Sequence, residues 1–443
     1  MMKRLLALLL LGAALHNTVY AQSINKPRLD SLLNILSSNN KTMGSLSISQ
    51  NGKTIYQKAV GYSFIDSLSS QPATVQTKYR IGSISKMFTG VITFQLIEEG
   101  KLTLETTLDK FYPQMPNAAN ITIGQLLSHH SGLFNITNDP AFATYMTKPQ
   151  TREQMLTKMA AFAPRFEPGA KFEYSNTNFI VLAYIVEKIT NQPFADVVKQ
   201  RVINKAGLKD TYYGGKINTA NNEALSYNFA DKWKIIPETD MSIPSGAGAM
   251  VSTPADLTKF AEALFNGKLI SDASLAKMKP LSDYYGMAMR KIDFDGKVSY
   301  GHNGAIDGFR AELAYFPQQK LAIAYTSNGG IYSTEKILKA TVSIVFNEPF
   351  TMPLYKKPDL KTEELDKYLG VYSSPDFPLK ITMSKDNTTL YGQAAGQGLI
   401  RLEATGKDRF EFEPNDIVVE FDTAKGQFIL KQNGGIKVFT REK

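Results

Sequence analysis

Strand-like alternation stands at both ends of a long helical stretch, and this restricts the fold more than any other feature of the chain. Residues 43–62 alternate apolar and polar around Asn51-Gly52, a pair whose tolerance of positive φ suits a two-residue hairpin turn. The alternation returns at Gly286–Ile292, Val298–His302, Phe309–Phe316 and Leu321–Ser327, and a helical pattern at Thr334–Phe346 follows. Between the two strand regions, Ile84, Met87, Phe88, Val91, Ile92 and Leu96 recur at helical spacing until Gly100 ends the run. Further helices are predicted at Ile123–Leu127, Thr151–Ala161, Asn178–Thr190, Pro193–Val202 and Pro254–Phe265. Strands from both ends of one unit with helices between predict an α+β fold: an antiparallel sheet flanked by helices, with an all-helical subdomain.

A chain of 443 residues exceeds one ordinary domain. Pro349, Pro353 and Pro358, with Lys356-Lys357, mark a linker at 348–362. Beyond it, 363–443 carries short, evenly spaced alternating segments such as Leu379–Met383, Phe410–Glu413, Ile417–Phe421 and Gln427–Lys431, the pattern of a small antiparallel β-barrel. The start reads differently. Lys3-Arg4, an apolar run Leu5–Leu15 and small residues before Gln22 form a signal peptide at 1–21. The run falls short of the ~20 apolar residues a membrane anchor needs. Residues 22–347 are then expected to form the main domain, soluble and periplasmic or secreted, with no transmembrane anchor expected after cleavage.

Cysteine is absent, which excludes disulfides, a thiol nucleophile and Cys-ligated zinc. The formal charge of +9 becomes +7 without Lys3 and Arg4, and the basic residues are scattered. No nucleic-acid partner is expected from such a distribution.

Chemistry concentrates in three segments. Ser83-Ile84-Ser85-Lys86 opens the long helix, where residues three apart share a face, so the Lys86 amine can reach the Ser83 hydroxyl. A serine becomes a nucleophile when a base takes its proton. Lysine serves if desolvation lowers its pKa. Tyr174-Ser175-Asn176 leads into a second helix, and Gly301-His302-Asn303-Gly304 ends a strand and begins a turn. Each has a plainer reading, Tyr174 as a packed aromatic and His302 as a satisfied strand-end histidine. His129-His130 lacks a third metal ligand, and adjacent side chains point apart. His129 is therefore read as structural, and no metal or organic cofactor is expected. Ser85 and Ser175 are read as supporting or packed residues. There is no Gly-x-Ser-x-Gly elbow, phosphate loop or His-Glu-x-x-His element.

Together the three segments resemble the Ser-x-x-Lys, Tyr-x-Asn and Lys/His-x-Gly elements of the serine beta-lactamase and penicillin-recognising superfamily, especially its class C beta-lactamase, DD-peptidase and esterase branch. Leu126–Leu133 and Phe166-Glu167-Pro168-Gly169 add to the likeness, which spans about residues 30–346. The resemblance implies an acyl-enzyme on Ser83 with Lys86 as its proton partner. It implies that Tyr174 shuttles protons, its phenol pKa depressed by the Lys86 charge, and that Asn176 holds Lys86 and the substrate. It makes His302 a further catalytic residue, and Asn303, Gly304 and Ala305 substrate-binding residues, the Ala305 amide joining that of Ser83 in an oxyanion hole. Arg310 is a candidate for a substrate carboxylate, solvent exposure being its alternative, and Asp307 a candidate to fix the turn before Gly308. The tail at Tyr368–Tyr372 resembles the lipocalin-like barrel appended to such hydrolases, expected to pack beside or over the active-site mouth. The expected substrate is a small molecule or peptide, an amide or ester. The rival reading is a catalytically silent, penicillin-binding-like sensor or binding protein of the cell envelope.

Overall fold

A computed structural model describes residues 24–443 except 230, 231, 281–283, 356–359, 433 and 443. The signal peptide expected at 1–21 and part of the linker expected at 348–362 lie outside the described residues.

The strands from the two ends of the main domain join one antiparallel sheet. Its spatial order is Arg290–Phe294, Lys297–Ile306, Phe309–Phe316, Leu321–Gly330, Thr42–Gln50 and Lys53–Val60. Ile48 faces Ile323 and Tyr56 across its two neighbouring ladders, and Asn51-Gly52 forms the hairpin turn with both φ angles positive. Side chains alternate between two cores. Ala314, Phe316, Ile323 and Tyr325 meet Leu29, Leu33, Ile337 and Val342 from helices Lys26–Ser38 and Thr334–Val345. Ala311, Leu313, Ala322 and Ala324 face the helical subdomain. The first of these helices lies upstream of the stretch read from sequence.

The helix Ser85–Glu98 is buried at every position from Ser85 to Leu96, as expected of a helix apolar all round. It packs among helices Asn176–Thr190 and Pro254–Phe265, with Phe88 stacked on Phe260 at 4.0 Å. A short sheet of Tyr79–Arg80, Met250–Ser252 and Tyr212–Tyr213 anchors the chain just before it.

Three local expectations change. The strand expected at Gly286–Ile292 runs from Arg290 to Phe294, because the amides of Met287 and Ala288 are bonded to the carbonyls of Met278 and Leu127 instead. The helix expected at Pro193–Val202 becomes Phe194–Val198 followed by a π-helical turn, Lys199–Ile203. Gly301–Gly304 forms no turn: the strand continues to Ile306. Its glycines serve close approach, since a Cβ on Gly301 would lie 1.8 Å from the Leu313 carbonyl oxygen.

Residues 370–441 form a closed eight-stranded antiparallel barrel, sealed where Tyr372 pairs with Arg441. Eight strands leave an interior that side chains just fill, and Tyr368, Tyr372, Phe410, Phe421, Phe428 and Phe439 fill it, Phe428 stacking on Phe439 at 4.8 Å. The barrel meets the main domain at Lys41, a buried cation paired with Glu403 and, at 2.9 Å, with Glu413. Lys336 adds a 2.7 Å ion pair to Asp416. The fold is thus mixed α+β with an antiparallel barrel appended, as the alternation pattern predicts.

Candidate active site

Ser83 sits on a 3-10 turn, Gly82–Ile84, that runs directly into the buried helix. Gly82 adopts φ +49°, and a Cβ there would lie 2.7 Å from the Ala305 amide nitrogen, so glycine lets the nucleophile turn press against the strand. Gly304 meets it from the other side: a Cβ would come 1.9 Å from the Ile81 carbonyl oxygen and 3.0 Å from the Ser83 amide nitrogen. The amides of Ser83 and Ala305 are thereby brought to one place.

Lys86 is 0% exposed and lies one helical turn from Ser83. Its Nζ is 2.9 Å from Ser83 Oγ, 2.7 Å from Asn176 Oδ1 and 2.8 Å from the Ala247 carbonyl oxygen. Burial holds its pKa well below the ordinary lysine value. A neutral amine has two N–H groups and one lone pair. Asn176 Oδ1 and the Ala247 carbonyl can only accept, so they take both hydrogens and the lone pair faces the Ser83 hydroxyl. Tyr174 Oη donates to the same Ser83 Oγ at 2.8 Å. The expected depression of the Tyr174 phenol by Lys86 is not what the structure gives: burial raises it well above the ordinary tyrosine value, with the Ser83 hydrogen bond opposing. A neutral lysine supplies no charge to lower it.

Asn176 is held from behind by Asn135, whose Oδ1 accepts from the Asn176 backbone amide at 3.0 Å and its Nδ2 at 3.2 Å. Sequence reasoning did not single out Asn135, which sits in a loop without periodic signal. Ser85 accepts from the Met250 amide at 3.0 Å.

His302 is buried beside Tyr174, ring centroids 6.4 Å apart. Its ring nitrogens face Tyr285 Oη at 3.0 Å and the Asn303 carbonyl oxygen at 2.5 Å. Burial above all, with Arg290 acting in the same direction, pushes its pKa down to about 3. Asn303 turns outward, its Oδ1 accepting from Arg290 Nη1 at 2.6 Å. Arg310 is drawn away: its guanidinium donates to the carbonyls of Phe309 and Asp307 at 2.7 and 3.1 Å. Asp307 does more than fix a turn. Its buried carboxylate accepts from Arg80 Nη1 at 3.0 Å and Thr239 Oγ1 at 2.6 Å, tying the 239–244 segment to the strand.

A cavity of about 250 Å³ opens on Ser83. Ile136, Thr137, Phe142 and Met146 form one wall and Thr239, Ile243 and Pro244 another, with Asn176 and Ala305–Asp307 between. None of the described residues lining it comes from the barrel. Arg310 is not among its lining residues either. No cluster of metal-ligating side chains occurs among the described residues.

A buried lysine and a tyrosine converging on one serine, between a helical subdomain and an antiparallel sheet, define the beta-lactamase/transpeptidase-like class of serine hydrolases. A family model described as "Beta-lactamase" matches residues 41–342, and the chain belongs to that family. Penicillin-binding protein 4* of Bacillus subtilis (strain 168) is 26% identical over 94% of this chain and 99% of its own length. Among solved structures, the octameric penicillin-binding protein homologue from Pyrococcus abyssi superposes with a TM-score of 0.66 at 22% identity, over 94% of this chain and all of that one. A D-stereospecific amidohydrolase from Streptomyces sp. gives 0.61 at 25% identity, over 71% and 98%.

Proposed function

We propose that this chain hydrolyses an amide or ester through an acyl-enzyme on Ser83. The observation that carries this is the convergence of Lys86 Nζ and Tyr174 Oη on Ser83 Oγ, at 2.9 and 2.8 Å. Ser83 Oγ bonds to the substrate carbonyl carbon while Lys86 takes its proton. The developing oxyanion meets the amides of Ser83 and Ala305. The C–N or C–O bond then breaks, the leaving group taking a proton from Tyr174, which the proton held on Lys86 replaces; water then gives a proton to Lys86 as it attacks the acyl carbon, and that proton returns to Ser83 Oγ as the carboxylic acid leaves. His302, with both nitrogens engaged, stands as a neutral neighbour of Tyr174 and not as a proton carrier. A D-amino-acid peptide or amide, or a short acyl ester, is the substrate this reading favours, supported by the penicillin-binding and D-stereospecific relatives and by the largely apolar cavity. The signal-peptide pattern supports action in the periplasm or outside the cell.

The test is covalent labelling. Intact mass after a fluorophosphonate or a fluorescent penicillin is expected to show one adduct, absent in Ser83→Ala. A chain that takes up neither reagent and turns over no p-nitrophenyl ester is the silent binding protein instead.

A further inference from the structure

A polarised hydrogen-bond chain runs behind the site. Leu133 N–H donates to Ser131 Oγ at 3.1 Å, so the Ser131 proton goes to Asn178 Oδ1 at 2.6 Å. That leaves Asn178 Nδ2, with the Ser175 amide, to donate to His129 Nδ1 at 3.3 and 3.1 Å. With Nδ1 accepting, His129 carries its proton on Nε2. Burial holds the pKa of the His129 ring well below the ordinary histidine value, which keeps it neutral. His129 Nε2–H therefore donates to Tyr285 Oη at 3.2 Å, and the tyrosine proton goes to His302 Nε2 at 3.0 Å. At the far end His302 Nδ1 faces the Asn303 carbonyl, which can only accept. The two ends independently demand the same polarity, and the Tyr285 hydroxyl is the one link that both donates and accepts between the histidines. The same rings enclose Tyr174: His129 lies tilted against it at 4.2 Å between centroids and Tyr285 meets its edge at 6.2 Å. His129 also accepts the Glu173 amide on its backbone oxygen at 3.0 Å.

We propose that Tyr285 is a positioning residue: its hydroxyl fixes His302 in the neutral Nδ1–H tautomer and, with His129, holds Tyr174 Oη on Ser83. This deepens the hydrolase reading and rests on it. Without the hydroxyl, His129 Nε2–H and His302 Nε2 lose their shared partner inside the protein, a cost buried polar groups relieve by moving.

Two measurements test it. Ring ¹⁵N spectra of the wild-type chain, with His302 assigned by its loss in His302→Gln, are expected to show Nδ1 protonated and Nε2 bare. In Tyr285→Phe the His302 pattern is expected to change, and kcat on a p-nitrophenyl ester to fall by about tenfold to a hundredfold with KM within about threefold. Wild-type His302 protonated on Nε2 overturns the proposal, and that result holds even if Tyr285→Phe does not fold. So does a folded Tyr285→Phe with unchanged kcat and an unchanged tautomer. Wild type that labels on Ser83 while Tyr285→Phe is unaffected sinks this inference alone. Wild type that never labels sinks the hydrolase reading beneath it.

Discussion

Lys86 Nζ lies 2.9 Å from Ser83 Oγ, and its two other partners, Asn176 Oδ1 and the Ala247 carbonyl, carry no formal charge. The pair therefore works as amine and alcohol, and that has consequences for substitution at both ends.

Lys86→Met removes the base and is expected to lower kcat/KM by about 10²–10⁴. Lys86→Arg is expected to do no better, because a guanidinium keeps its proton. Steady-state kinetics on a p-nitrophenyl ester decide it, with circular dichroism reporting the fold. Activity in Lys86→Arg near wild type would remove lysine from the proton path.

The pH dependence follows from the same burial. Lys86 must be neutral to accept the Ser83 proton, and its pKa is depressed, so activity is lost as pH falls through that depressed value. Tyr174 must keep its proton, and its pKa is raised, so the alkaline limb lies above the ordinary tyrosine range. His302, down at about 3, adds no limb between pH 5 and 10. A kcat/KM profile with an inflection near 6.5 that disappears in His302→Gln contradicts this arrangement.

Gly304→Ala forces a methyl group against the Ile81 carbonyl and the Ser83 amide, at 1.9 and 3.0 Å. Strand and nucleophile turn must part, and with them the two amides. A loss of about 10²–10³ in kcat is expected, the scale of removing one oxyanion donor. Kinetics with thermal melting separate this from simple unfolding.

Glu312, 6% exposed, accepts from Thr334 Oγ1 at 2.8 Å, and burial raises its pKa from 4.5 to about 7. The folded chain then holds a proton that the unfolded chain releases. Its stabilising contribution is full below pH 4.5 and lost as pH rises through about 7, a swing of roughly 3 kcal/mol. Glu312→Gln is expected to flatten urea-denaturation stability across that window; an unchanged slope refutes it.

Lys41→Met leaves Glu403 and Glu413 facing each other where the barrel docks. Losing one partner of a buried ion group costs about 3–5 kcal/mol. Calorimetry is expected to show the barrel melting apart from the main domain. A single transition unchanged in temperature counts against Lys41 as the clamp.

Much of this was legible in the residues. The alternation at both ends specifies the sheet, because period two places alternate side chains on opposite faces, and Ser83, Lys86, Tyr174 and Asn176 stand at one oxygen and one amine. Glycine misled the reading of Gly301–Gly304, since composition does not distinguish a residue chosen for turning from one chosen for thinness. Tyr285 gave no signal because its partners, His129 and His302, are 156 and 17 positions away. The direction of the Tyr174 shift is set by burial of the phenol, which no motif encodes. Arg310 looked available until its own backbone carbonyls took it.

The sheet order also sets a schedule. Thr42–Gln50 takes its central neighbour from Leu321–Gly330, so the opening hairpin, complete at Val60, must wait, one edge bare, until the chain has grown as far as that distant strand. Such a distant pairing makes for slow maturation and a long aggregation-prone interval. Loss of the last sheet strand would therefore strand the first, making a chain cut short before residue 321 a candidate for chaperone capture.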